Sequence, residues 1–287
     1  MQSLGAQILP PDSILHKKRL YVVAGVEGGL WATSIVGLNY IWYSDYDRTS
    51  WHSFNDNKEW LQIDKVGHAT TSYFLGKIGY DMLRWSGVAH NKSVWFGGSL
   101  GFLYLTSIEM LDAYSQNWGF SWGDMVANTV GSGLYMGQAA LWHEQRISLK
   151  FSFHLTDYAQ YRANVLGSNF AERMLKDYNG QTYWISGNIY SFLPKQSRFP
   201  KWLNIAFGYG GEGMLGGFSN PDNVNGSPVP GFDRYRQYYF SLDVDWTKIP
   251  TKSKFLKSFF NVISFIKFPM PAIEYSEKGT VFHSIYF

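Results

Sequence analysis

No cysteine occurs among the 287 residues, and charged side chains make up only 16% of them. The first absence excludes disulfides, thiolate metal sites and a cysteine nucleophile, and it leaves the chain as given with no residue to carry the lipid of a lipoprotein. The second is unusual, because soluble domains carry about 25% charge. The net charge of +3 is too small for the electrostatic footprint of a nucleic-acid binder, and the basic residues do not share a stripe with aromatics, so no nucleic-acid partner is expected. The N-terminus shows neither the basic n-region nor the long apolar h-region of a secretory signal. Leu4-Gly5-Ala6-Gln7 still reads as the tail of such a signal with its cleavage site, and residues 1–15 are expected to form a short tail.

What is abundant is aromatic: 12 Trp, 20 Tyr and 21 Phe, 18% of the chain. Tyr and Trp favour places where one end is apolar and the other wet, as at membrane interfaces. An aromatic-rich β protein in water is the competing reading. Low charge and high aromatic content together favour an envelope protein that meets lipid.

Hydrophobic periodicity divides the chain into a helical part, 16–143, and a strand-rich part, 144–287. Asp12-Ser13 can cap a first helix, and the apolar stretch Leu20 to Tyr43, interrupted only by Glu27, is long enough to span a bilayer. A second helix, Trp60 to Trp85, sets Val66, Tyr73, Phe74, Ile78 and Leu83 against Asp64, Lys77 and Asp81. A third runs from Ser93 to Ala113, and a fourth from Ser121 to Trp142, opened by Ser121 as N-cap with Asp124 at N3. The small-residue pairs Gly25/Gly29, Gly97/Gly98/Gly101 and Gly133/Gly137 are spaced to let helix backbones approach closely.

Beyond Glu144 the period falls to two. Strands are expected over Ile147–His154, Thr182–Leu193, Trp202–Tyr209, Tyr235–Trp246, Pro271–Tyr275 and Thr280–Phe287. In Tyr238 to Trp246 an apolar face stands opposite Tyr239, Ser241, Asp243 and Asp245. Asn220–Phe232 reads as a surface loop, Lys252–Lys267 as an amphipathic helix suited to a membrane surface, and the glycine-rich Gly208–Gly213 as a turn or bulge, because no Lys-Ser/Thr follows it. The final aromatic, Phe287, resembles the end of an outer-membrane strand. Six strands fall short of the eight at which single-chain outer-membrane barrels begin. The fold class expected is therefore α+β: an N-terminal membrane-associated four-helix bundle followed by a C-terminal antiparallel β-sheet or partial β-barrel.

Polar residues recur at the ends of the apolar helices. Asp64 and His68 stand four apart, Glu109 and Asp112 three apart, and Asp124 and Asn128 four apart, so each pair shares a helix face. Buried carboxylates are costly unless paired, protonated or metal-bound, and His with carboxylates on facing helices builds metal sites. His68, Glu109, Asp124, Asp64 and Asp112 are candidate ligands of one divalent ion, with Zn, Mn, Fe, Mg and Ca not distinguishable. Ser121, Asn128 and Glu27 belong to the same polar set, and Glu27 stands out as an ionisable group inside the most apolar helix. Each residue also has a plain role: Ser121 and Asp124 as a cap, Asp64 paired with Lys65, His68 as a hydrogen-bonded core histidine. A metal site and a structural polar network both fit, and no serine shows a nucleophile elbow, so no catalytic residue is assigned.

The ordered segments Asp64-Lys-Val-Gly-His68, Glu109-Met-Leu-Asp112 and Phe120-Ser-Trp-Gly-Asp124-Met-Val-Ala-Asn128-Thr-Val-Gly131 resemble the YfiM-like family of predicted periplasmic lipoproteins, a domain of unknown function, and more distantly the VanZ-like membrane proteins. The resemblance spans roughly residues 20 to 142. It implies an envelope location and marks Asp64, His68, Glu109, Asp124 and Asn128, but it brings no activity. The chain departs from the family in lacking a lipobox cysteine and in adding the β half. The function expected first is a non-enzymatic accessory or structural protein of the outer membrane, on its periplasmic side, as a subunit of an outer-membrane assembly or export complex, with membrane lipid and other outer-membrane proteins as partners. A metal-dependent hydrolase or transferase acting on lipid or cell-wall material, and a lipid-binding protein, are the alternatives.

Overall fold

The computed structural model of the chain describes residues 9–43 and 46–286. The signal-like Leu4–Gln7 and the terminal Phe287 lie outside the described residues. The chain forms two compact units, one comprising residues up to Asp56 with His68–Gln145, the other Asn57–Gly67 with Arg146 onward.

The first unit is helical. Helix α1 covers Lys17–Leu38, α2 Ile63–Trp85 (its residues up to Gly67 are counted with the second unit), α3 Leu100–Asp112 and α4 Trp122–Trp142; the short turns His90–Lys92 and Ser93–Gly97 lead into α3. Helices α2, α3 and α4 pack backbone to backbone because small residues sit where they cross. A Cβ on Gly97 would strike the Gly79 backbone, one on Gly101 the carbonyl of Ser72, and one on Gly131 the carbonyl of Ala69. By contrast, added Cβ atoms at Gly25, Gly29, Gly133 and Gly137 would meet nothing, so those expected pairs mediate no packing among the described residues. Helix α1 leaves nearly its whole surface open, with Val23 its one buried residue; it touches α3 through Trp31 Nε1 on Ser107 Oγ at 3.1 Å. The four-helix bundle is thus borne out only as a helical unit, in which three helices pack closely and the fourth is largely uncovered. Nor do Asp12 and Ser13 cap α1: its N-cap is His16, and Asp12 instead accepts from Ile14 N, His16 Nε2 and Arg19 Nη1.

These helices bury polar side chains beside apolar ones such as Tyr73, Leu105 and Tyr135, and leave large apolar ones exposed. Helix α4 buries Asp124, Asn128, Ser132 and Gln138 and exposes Trp122, Val126, Val130 and Leu141. Helix α2 buries Ser72, Lys77 and Asp81, with Lys77 Nζ 3.3 Å from Asp81 Oδ2, while Ile78 is exposed. The expected polar face of the second helix is therefore its inner face. Two segments, Lys17–Leu38 and His90–Asp112, are long and apolar enough to cross a membrane.

The second unit is built on one antiparallel sheet whose strands follow one another in chain order: β1 Ile147–Phe153, β2 Gln181–Asn188, β3 Leu203–Glu212, β4 Tyr235–Val244, β5 Met270–Ser276 and β6 Gly279–Tyr286. All six expected strands form, but the second ends at Asn188, where the side chain accepts from Ser191 N and turns the chain into a 3-10 segment. Gly208–Gly211 lie within β3 rather than in a turn, and Gly208 makes room for the ring of Trp184. The expected loop Asn220–Phe232 holds a small hairpin, and the basic amphipathic stretch forms helix α5, Lys254–Val262, capped by Ser253 and exposing Phe255, Phe259 and Val262. No closed barrel forms: β1 and β6 remain the sheet edges among the described residues.

Here too the alternation is inverted. Ile185, Phe207, Phe240, Leu242, Ile273 and Phe282 stand exposed on one face. The other buries Trp184, Ala206, Tyr239 and Ala272, with a connected set of polar groups. Lys150 Nζ lies 2.6 Å from Asp243 Oδ2 and donates to Val244 O; Ser186 Oγ donates to Asp243 Oδ2, Asn204 Nδ2 to Ser186 Oγ, and Asn188 Nδ2 to Asn204 Oδ1. Before α2, Trp60, Leu61 and Gln62 all adopt left-handed φ values of 47°, 53° and 65°. Non-glycine residues pay about 1–2 kcal/mol each for this, and the stretch is held by Tyr209 Oη on Leu61 O, Arg236 Nη2 on Gln62 Oε1 and Trp60 N on Gly217 O.

Removing one partner of a fully buried ion pair strands the other charge, at a cost of about 3–5 kcal/mol, whereas replacing both by apolar groups is often neutral. Asp243→Asn is therefore expected to lower the unfolding free energy of the β unit by about that amount, and the double change Lys150→Met with Asp243→Leu to recover most of it. Urea unfolding followed by tryptophan fluorescence reads both.

Candidate metal centre

The three closely packed helices bring their polar groups to one end. His68 lies early in α2, Glu109 near the end of α3, and Asp124 in the first turn of α4. One ligand atom from each lies within 4.8 Å of the others: His68 Nε2 is 3.9 Å from Glu109 Oε1 and 4.0 Å from Asp124 Oδ1.

The start of α4 holds both carboxylates in place. Ser121 Oγ accepts from Asp124 N at 3.1 Å, the N-cap bond expected from the sequence, and donates to Asp56 Oδ1 at 2.6 Å. Ser121 N donates in turn to Glu109 Oε2 at 3.0 Å, so a carboxylate from a different helix satisfies a free N–H at the positive end of α4. His68 is oriented by Asn128, whose Oδ1 lies 3.1 Å from Nδ1, and Asn128 is tied down by Ser72 Oγ donating to its backbone carbonyl. With the proton on Nδ1 facing that amide oxygen, Nε2 turns its lone pair toward Glu109 and Asp124.

Two ionised carboxylates at this separation repel by about 3 kcal/mol at an effective dielectric of 20, a repulsion that a proton at the cluster or a bound cation relieves. An ion held about 2.0–2.6 Å from each ligand separates the ligand atoms by roughly 3–5 Å, which brackets the observed spacing. Access is from one side: the His68 side chain is 22% exposed, against 2% for Glu109 and 6% for Asp124.

The remaining expected residues are placed differently. Asp112 accepts from Tyr43 Oη at 2.7 Å and is not one of the three converging ligands. Asp64 pairs with Lys65 Nζ at 3.0 Å and belongs to the second unit. Glu27 is half-buried on α1, and its Oε1 has no hydrogen-bond partner among the described residues. Asp56, which receives the Ser121 hydroxyl, was not legible: it lies in a loop with no periodicity. Lys77 and Asp81, expected on the polar face of the second helix, pair with each other at 3.3 Å.

Residues 50–139, which contain all three ligands, match the model of a family described as "Predicted periplasmic lipoprotein (DUF2279)". The match bears out the resemblance to that family; the more distant likeness to VanZ-like proteins is not shown by it. No curated protein and no solved structure matches the chain.

Because Ser121 caps α4 through one bond and braces Asp56 through another, Ser121→Ala is expected to cost about 1 kcal/mol or somewhat more, the usual price of a lost N-cap, while Ser121→Thr stays within a few tenths. Chemical denaturation of the two variants in detergent separates these outcomes.

Proposed function

We propose that the chain is a non-enzymatic structural or accessory protein of the outer membrane, with surfaces that face lipid and a divalent cation that fastens α2, α3 and α4 through His68, Glu109 and Asp124. The observation that carries the cation is the convergence of three ligand atoms from three helices in apolar surroundings, with the histidine already aimed by Asn128. The lipid reading is supported by the inverted burial of both units, since polar interiors with apolar exteriors suit a hydrocarbon solvent and not water. The outer membrane is favoured by the β unit: strands that alternate apolar-out and polar-in are the pattern of that membrane's proteins. The family description supports an envelope location in the coarser sense. Accessory membrane proteins act through contacts, which fits a chain whose polar groups are largely engaged in holding its own elements.

A metal-dependent hydrolase or transferase is the second reading, favoured by the open side of His68, through which a substrate oxygen or water would reach the ion. Turnover of a lipid or cell-wall substrate that vanishes with Glu109→Gln while the ion stays bound would favour it over the first.

Elemental analysis of the detergent-purified protein is expected to find one divalent ion per chain, lost on His68→Ala or Glu109→Gln. Asn128→Leu, which leaves the ligands but frees the ring, is expected to weaken binding by about 10–100-fold. Wild-type protein without metal, and indifferent to added Zn, Mn or Ca, rules the cation out.

On fractionation the chain is expected to remain with outer-membrane vesicles after carbonate washing. Phe240→Asp, which places a charge on the apolar sheet face, is expected to shift it measurably toward the soluble fraction. Recovery of the wild-type chain in the soluble fraction would remove the lipid reading.

A further inference from the structure

A second group of ligand-type side chains lies at the other end of α4. His143 follows its last residue, and His90 opens the turn that precedes α3. His143 Nδ1 and His90 Nε2 are 3.0 Å apart, with ring centroids at 4.6 Å and an interplanar angle of 50°. The other nitrogen of His90, Nδ1, lies 2.9 Å from Tyr80 Oη on α2. Along α4 the pair is about 28 Å from Asp124, so it belongs to a different site from the one described above.

We propose that His90 and His143 form a second metal site, one that takes a divalent transition ion of the copper, nickel or zinc kind through two imidazole nitrogens. Two nitrogens bound to one ion at about 2.0–2.1 Å, at angles between square-planar and tetrahedral, lie about 2.9–3.4 Å apart. The observed separation falls in that range. Tyr80 supplies the outer partner that metal-bound histidines generally have. In the loaded form His90 keeps its proton on Nδ1, donated to Tyr80 Oη, and ligates through Nε2. His143 ligates through Nδ1 and keeps its proton on Nε2. No proton is gained or lost. His143 is exposed, which gives the ion an entry path and lets water fill the remaining positions.

The two nitrogens come from residues far apart in sequence, and the backbone holds one of them in an unusual state. His143 has a left-handed φ of 56°, a conformation that among non-glycine residues asparagine, aspartate and histidine adopt most readily. That turn ends α4 and sets the imidazole against His90. An ion there would pin the end of α4 to the start of the segment leading into α3, adding to the hydrogen bond between the rings. All-nitrogen donors distinguish the site from the carboxylate-rich cluster, since imidazole suits the later transition metals and oxygen donors suit harder cations.

The test uses the full chain in detergent micelles, carrying His68→Ala so that the first cluster cannot contribute, and Cu(II) as probe. Titration is expected to show one copper bound per chain, with electron paramagnetic resonance reporting hyperfine coupling to two imidazole nitrogens. His143→Asn, chosen because asparagine tolerates the left-handed turn, and His90→Gln are each expected to weaken binding at least tenfold and reduce the coupling to one nitrogen. Circular dichroism confirms that the variants keep their helix content. Copper binding with two-nitrogen coupling that survives His143→Asn overturns the proposal, as does the absence of stoichiometric binding in the His68→Ala protein. Loss of metal from the first cluster leaves both readouts unchanged, so the failure of one site is not mistaken for failure of the other.

Discussion

Glu109 and Asp124 are carboxylates placed where almost no water reaches them, opposite a histidine nitrogen that offers a lone pair. Everything else in the helical unit is arranged around the cost of that meeting. Burying an unpaired charge costs several kcal/mol even after relaxation; Ser121 N donates to the Glu109 carboxylate, the Ser121 hydroxyl oxygen accepts from the Asp124 backbone N–H, and the partial positive charge of the α4 N-terminus lies close to both acids. These contacts soften the repulsion without removing it, because amide dipoles carry fractional charge and the two acids together carry two. A full positive charge, proton or metal ion, completes the balance.

The same bookkeeping runs through both units. In water a protein turns its polar side chains outward and collapses its apolar ones inward. Here Lys77 and Asp81, Lys150 and Asp243, and the Ser186–Asn204–Asn188 chain lie inside, while Trp122, Val126, Phe207 and Phe240 lie outside. Each of these inner pairs and chains supplies its own hydrogen-bond partners, as buried polar groups require.

Most of the elements were legible in the sequence, because periodicity reports which residues share a face regardless of what that face meets. The helices ending at Trp85 and Trp142 and the strand opening at Tyr235 follow directly from spacing. Periodicity does not say which face is buried. Asp64, Lys77 and Asp81 form the polar face that spacing sets against Val66, Tyr73 and Phe74, and two of those three polar residues are buried. The His68–Glu109–Asp124 convergence was readable because each residue closes or opens an apolar run, which brings helix ends together in any compact packing. Asp112 shares a face with Glu109 but is diverted by Tyr43, a residue at the far end of a different helix, and no local pattern announces such a contact. The His90–His143 pair was illegible for the same reason: each histidine sits singly at a helix end, and only the packing makes them neighbours.

The spacing of His68, Glu109 and Asp124 originates in residues that carry no chemistry at all. Gly131 lies one turn beyond Asn128 on α4 and presses against the carbonyl of Ala69, the residue next to His68; Gly101 presses against the carbonyl of Ser72, one turn further along α2. The two contacts clamp α2 against α3 and α4 beside the imidazole, on either side of the Ser72 hydroxyl that anchors Asn128. A single added methyl at either glycine would push the helices apart by more than the tolerance of any coordination bond. The cluster depends on carboxylates for its charge, but on the absence of two side chains for its geometry, so ligand identity and helix spacing are one requirement expressed at two sets of positions.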